Sequence, residues 1–272
     1  MGRIPFYSSS FCEYLRVHSH GHNNNISITD ARISLSQLCN GDLDRNIVIS
    51  IENIFGEFGH KPRMYHAVRP VLEELQLILP EHEIHIAYYV RRQDTFFESI
   101  YTQRVQKLHA QQFADFYAKR LGDDLRWTPI LDEIQDMIGK DKLTVIPFES
   151  ISSGVDLFIR EMFTFISPLL VDQVVFAGAS GADTNLSLSG KGINLALALF
   201  PELEKSERQL FMAFLKKHFS SKQYPKARLL DDQKRDYLLK QLSEDNALLI
   251  EKYLDNYPGK SFYTDALNSD RL

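Results

Sequence analysis

With 272 residues, 44% of them hydrophobic and 25% charged, the chain has the size and balance of one substantial α/β domain or two small ones. A net charge of −5 argues against a general binder of nucleic acid or of acidic membranes, both of which need a cationic surface, and leaves room only for a local basic pocket. Two cysteines, Cys12 and Cys39, make neither a disulfide framework nor a zinc signature. No apolar run is long enough to span a membrane, and MGRIPFYSSSFCEYLRV lacks the uninterrupted apolar core of a signal peptide. A cytoplasmic protein with no membrane span is expected.

Residues 1–46 read as polar and irregular. His18, His20 and His22 alternate, and on a strand they would share one face, but no nearby carboxylate or cysteine completes a metal site, so none is expected. Ser27 to Leu38 is a short helix or an extended segment. Asn46 to Ile51, NIVISI, has the length and β-branched content of a buried strand, with Glu52 directly behind it. Gly56 to Arg63 is a loop. Pro70 to Leu79 spaces Val71, Leu72, Leu75, Ile78 and Leu79 as a helix does, and Pro80 stops it, so that helix with its flanking strands makes a βαβ unit.

Ile84 to Val90 is the next buried-strand candidate, and Arg91 and Arg92 follow at once. Thr95 and Glu98 then stand at the spacing of a capping box, and Phe97, Ile100, Tyr101, Val105 and Leu108 recur with helical period. That helix is expected to run to about Arg120, ended by Gly122. In an open parallel sheet, ligands bind at the carboxyl ends of strands, beside helix N-termini. Arg91 at the strand end, Ser99 eight residues on and the positive end of the helix dipole suit a phosphate. The alternative is that both arginines are solvated or pair with Asp94 and Glu98.

Leu125 to Ile138 is a helix carrying the lone Trp127, and Lys142 to Phe148, KLTVIPF, is a third strand ending in Glu149. Val155 to Ile166 is an amphipathic helix whose Phe158, Phe163 and Phe165 read as core. Ser189 is a helix cap before Ile193, Leu195, Leu197 and Leu199, and Gly190-Lys191-Gly192 could approach a phosphate. Leu203 to Tyr257 is helical and charged.

VRRQDTFFESIYTQ resembles the 3′-phosphate-binding segment of sulfotransferases that use 3′-phosphoadenosine 5′-phosphosulfate (PAPS), above all bacterial sulfotransferases of carbohydrates and glycans. In that family an arginine ends a strand, a serine follows eight positions on, and both grip the 3′-phosphate. Arg91 and Ser99 match. NIVISIEN resembles the family's strand ending in S-x-E, which makes Glu52 the candidate base for the acceptor hydroxyl. Asn185-Leu186-Ser187-Leu188-Ser189 and Ser243-Glu244-Asp245-Asn246-Ala247 are similar to two further family elements, and Lys191 falls where cytosolic members carry a basic glycine-bearing loop.

The resemblance implies an α/β fold with a P-loop-NTPase-like parallel sheet flanked by helices, a helical C-terminal part, and a single domain over residues 1–272. It also implies PAPS as sulfate donor, no metal, and a saccharide-type acceptor offering a hydroxyl or an amine. Nothing in the chain matches the family's glycine-rich phosphate loop, neither as G-x-x-x-x-G-K-S/T nor as K-x-G-T-T/S, and Gly259-Lys260-Ser261 lacks the earlier glycine. Relative to the family the chain therefore reads as truncated at its N-terminus, with unpaired strand edges and poor solubility expected. Two alternatives follow: a remnant of the fold that binds glycan or protein without transferring sulfate, and, as a third reading, a kinase-like nucleotide enzyme of related fold.

Overall fold

Val68, Val71, Leu72, Leu75 and Ile78 recur at helical spacing, and every one is buried along α3 (Val68–Ile78). A second such stripe, Ile130, Leu131, Ile134 and Ile138, is buried along α6 (Thr128–Ile138), and the two helices pack on each other. This pair is the centre of the core. The computed structural model describes residues 9–20, 25–44, 46–56, 64–121, 124–166, 187–255, 257 and 263. Gly122, Asn185, Leu186, His22 and Gly259–Ser261 lie outside them.

Around that centre stand α1 (Ser10–His20) and α2 (Ile28–Leu38), both against α3. Ser27 and Asp30 start α2 by capping each other's backbone N–H. His18 and His20 fall in α1, where positions two apart do not share a face, and no metal-binding group occurs among the described residues. The sheet is a parallel pair, β1 (Ile86–Val90) with β2 (Leu143–Pro147), in register from Ile86–Leu143 to Val90–Pro147. Between these strands the chain runs through α4 (Gln93–Gln106), α5 (Phe113–Arg120) and α6. After β2 come α7 (Val155–Ile166), α8 (Gly190–Leu199), α9 (Lys205–His218), α10 (Asp232–Gln241) and α11 (Ser243–Tyr253). The fold is thus α/β and mostly helical, and no helix among the described residues is long and apolar enough to cross a membrane.

Three expectations are corrected. Asn46 to Ile51 pairs with no strand among the described residues; Ile47, Ile49 and Ile51 lean on the core while Asn46, Val48 and Ser50 are exposed. Period-two burial without a partner reads, in a single sequence, like a strand. The βαβ unit around α3 is therefore not formed. The long helix breaks at Leu108, whose φ of 71° ends α4, because α5 folds back to put Phe113 and Phe116 against Tyr101 and Phe97, each pair 5.0 Å apart at the ring centroids. Lastly, no residue of α7 is buried: its aromatic side is a wall rather than core.

Gly192 shows how tightly α8 is seated. A Cβ there would sit 2.7 Å from the Phe219 carbonyl oxygen, whereas one at Gly190 would make only ordinary contact with Ala227 at 3.5 Å. Gly192→Ala is expected to destabilise the protein by about 1–3 kcal/mol through overpacking, and Gly190→Ala to be near neutral. Calorimetric melting of the two variants checks this; equal melting temperatures would exclude the close packing.

Candidate functional site

Val90 ends β1 fully buried, and the next four residues divide sharply in role. Arg91 turns to the surface of a cleft. Its Nε donates to Thr95 Oγ1 at 3.0 Å, its guanidinium lies 4.9 Å from the centre of the Phe148 ring, and its carbonyl accepts from Trp127 Nε1 at 2.8 Å. Burial pulls its pKa down, opposed by the charges of Glu149, Asp94 and Glu98, and an arginine so placed stays charged. No carboxylate among the described residues pairs with it.

Arg92, Gln93 and Asp94 turn inward. Arg92 grips Asp94 through Nε at 2.7 Å and Nη2 at 2.9 Å, and Arg235 of α10 adds Nη1 to the same carboxylate and Nη2 to Glu98 at 3.3 Å. Burial alone would raise the Asp94 carboxyl, but the Arg92 hydrogen bonds and the charges of Arg92 and Arg235 outweigh it and hold it below its ordinary value. Gln93 Nε2 donates to Asn246 at 2.7 Å. Asp245 accepts the backbone N–H of Trp127 at 2.8 Å and of Thr128 at 3.2 Å, at the start of α6. The RRQD and SEDN stretches, far apart in sequence, thus interlock in the interior.

Two points of the expected chemistry change here. The first N–H at the α4 terminus belongs to Arg92 and is taken by Glu149 at 2.8 Å, with Tyr263 donating to the other Glu149 oxygen at 3.1 Å. The positive end of this helix is thus met by carboxylates of the protein itself. Thr95 and Glu98 form no capping box either: Thr95 donates to the Arg92 carbonyl, and Glu98 accepts the backbone N–H groups of Leu229 and Leu230 at 2.7 and 2.8 Å.

The cleft has a volume of about 1740 Å³ and lies between the 46–52 segment, β1 and one face of α4. Phe148 and Met162 and Phe165 of α7 close one side. Arg91, Ser99 and Glu52 all line it, so the structure brings these three predicted residues to one cavity. Ser99 stands two turns into α4, on the face shared by Thr95 and Gln103, and its hydroxyl makes no hydrogen bond among the described residues. Glu52 is exposed at the rim, beside Tyr65, whose backbone is left-handed (φ 50°) and whose ring stacks on Trp127 at 6.3 Å. Burial, and then the Glu52 charge, push the Tyr65 hydroxyl up to about 12, so it stays a donor at neutral pH.

Lys191 does not join them. Its ammonium rests 4.7 Å from the centre of the Tyr224 ring and 5.4 Å from that of Phe219, and Gly192 beside it serves the packing of α8. In its place the cleft receives Lys226, whose backbone bridges to Ser189. Sequence spacing gives no sign of Lys226; only the fold brings its loop over α4. Nor was Tyr65 legible, since a left-handed tyrosine carries no local signature. No protein-family model matches the chain, and neither curated proteins nor solved structures give a match.

Proposed function

We propose that the chain is a PAPS-dependent sulfotransferase-like protein that moves a sulfuryl group to a hydroxyl or amine of a saccharide-type acceptor. The observation that carries the reading is the division within RRQD: Arg92, Gln93 and Asp94 are buried in internal contacts, while Arg91 alone faces the cleft, unpaired by any described carboxylate and on the same wall as the free hydroxyl of Ser99. A guanidinium with a hydroxyl, both without an anionic partner among the described residues, fits a phosphate monoester. PAPS would bring an activated sulfuryl group to the cleft. Arg91 and Ser99 would hold its 3′-phosphate, and Glu52, which lines the same cavity, would take the proton released by the acceptor. Catalysis would rest on positioning and charge.

A second reading, a glycan- or protein-binding module of the same fold, is favoured by Glu52, which is exposed and held by no donor among the described residues. Titration with 3′-phosphoadenosine 5′-phosphate, the desulfated nucleotide, tests the first. Trp127 is the only tryptophan and bonds the Arg91 carbonyl, so its fluorescence reports the site directly. Micromolar affinity, roughly −8 kcal/mol, is expected. A cooperatively folded sample that shows no binding refutes the nucleotide reading. Sulfate transfer from labelled PAPS to a saccharide then separates enzyme from binding module.

A further inference from the structure

The loop from Pro225 to Leu230 is fastened at both ends. Gly190 N donates to the Pro225 carbonyl at 3.2 Å and Lys226 bridges to Ser189, while the Glu98 carboxylate binds the N–H groups of Leu229 and Leu230. So held, it carries Lys226 to the cleft that Arg91 lines. Lys226 is exposed at the border of that cleft, and the acids whose charges oppose the two cations are engaged elsewhere, Glu149 with the Arg92 N–H and Tyr263, Asp94 with Arg92 and Arg235. Glu98 is already committed to two backbone N–H groups and to Arg235. No carboxylate among the described residues forms an ion pair with either Arg91 or Lys226. Desolvation, then the Arg91 charge, pull the Lys226 pKa down, Glu98 opposing, although the residue as a whole is exposed, and this agrees with the two cations sensing one another.

We infer that Lys226 is a specificity-determining residue of this cleft: with Arg91 and Ser99 it forms a seat for a doubly charged phosphate monoester. A phosphate monoester carries close to two negative charges at neutral pH, since its second ionisation lies near pH 6, whereas a diester carries one. Two cations that form no ion pair among the described residues match the former. The inference rests on the reading of the cleft as a nucleotide site and deepens it, because the 3′-phosphate of PAPS is such a monoester.

The test uses the full chain, Lys226→Ala and Lys226→Arg, with two probes: 3′-phosphoadenosine 5′-phosphate and inorganic phosphate. Lys226→Ala should weaken both by roughly 10- to 100-fold, and Lys226→Arg should retain most of the affinity. The ligand-free melting temperature of Lys226→Ala should hold or rise, since a repulsion is removed, where loss of a structural cation would lower it. Wild-type affinity of Lys226→Ala for both probes overturns the assignment and leaves the role of Arg91 standing. Lys226-dependent binding of phosphate without binding of the nucleotide upholds the seat and removes the nucleotide reading. If the folded wild type binds neither probe, both fall.

Discussion

Asp94→Ala is expected to cost about 3–5 kcal/mol of folding stability, enough to leave a domain of ordinary stability barely folded. The carboxylate is 0% exposed and holds Arg92 and Arg235, themselves 7% and 6% exposed. Removing it strands two guanidinium groups in the interior with only Glu98 left to Arg235, and the lost hydration of those charges dominates the penalty. Urea titration should show the midpoint falling with an unchanged slope. A loss under about 1 kcal/mol would mean that the pair is solvated after all. The pH dependence has a definite sign. Because Asp94 sits below its ordinary value of 3.8, its contribution is complete above that pH and is lost as the pH falls through the depressed native value. Wild type should therefore lose more stability than Asp94→Ala on acidification below about pH 4.

Arg91→Ala should do the reverse: weaken 3′-phosphoadenosine 5′-phosphate by roughly 10- to 100-fold, about 1.4–2.7 kcal/mol, with little change in melting temperature. Among the described residues its side chain makes one neutral hydrogen bond and one ring contact, so the fold loses little without it. Arg91→Lys should recover part of the affinity, since an ammonium keeps the charge and loses the fork. Neighbouring arginines thus have opposite expected phenotypes, Arg92 in stability and Arg91 in binding. Isothermal titration of Arg91→Ala beside the wild type decides it, and equal affinities would remove Arg91 from the site.

How much of this could be read from residues alone depended on the range of the interaction. Helices with a strong apolar period came out within a few residues, as at Val68–Ile78 and Thr128–Ile138. So did both sheet strands, because a β-branched run between charged residues has few other uses. Arg91 was placed at the strand end by short-range sequence, and there it stands. What failed was long-range. Asn46 to Ile51 has a strand's composition, but pairing depends on a neighbour that composition cannot name. Thr95 and Glu98 have the spacing of a cap, yet Leu229 and Leu230 claim the glutamate. Lys191 looked basic and glycine-flanked, but aromatic rings hold it while Lys226 reaches the cleft. Each miss is a competition settled by a partner far along the chain.

Several partners that complete the turn after β1 and its surroundings come late: Arg235 for Asp94, Asn246 for Gln93, Asp245 for the start of α6, Tyr263 for Glu149. Synthesis runs from the N-terminus at about 5–20 residues per second, so both strands and α4 emerge well before these groups do. A growing chain therefore carries Arg92 and Asp94 for several seconds with their enclosure unfinished. β1, α4 and β2 are made early, whereas Lys226 and the contacts that fix the turn after β1 arrive with the last helices.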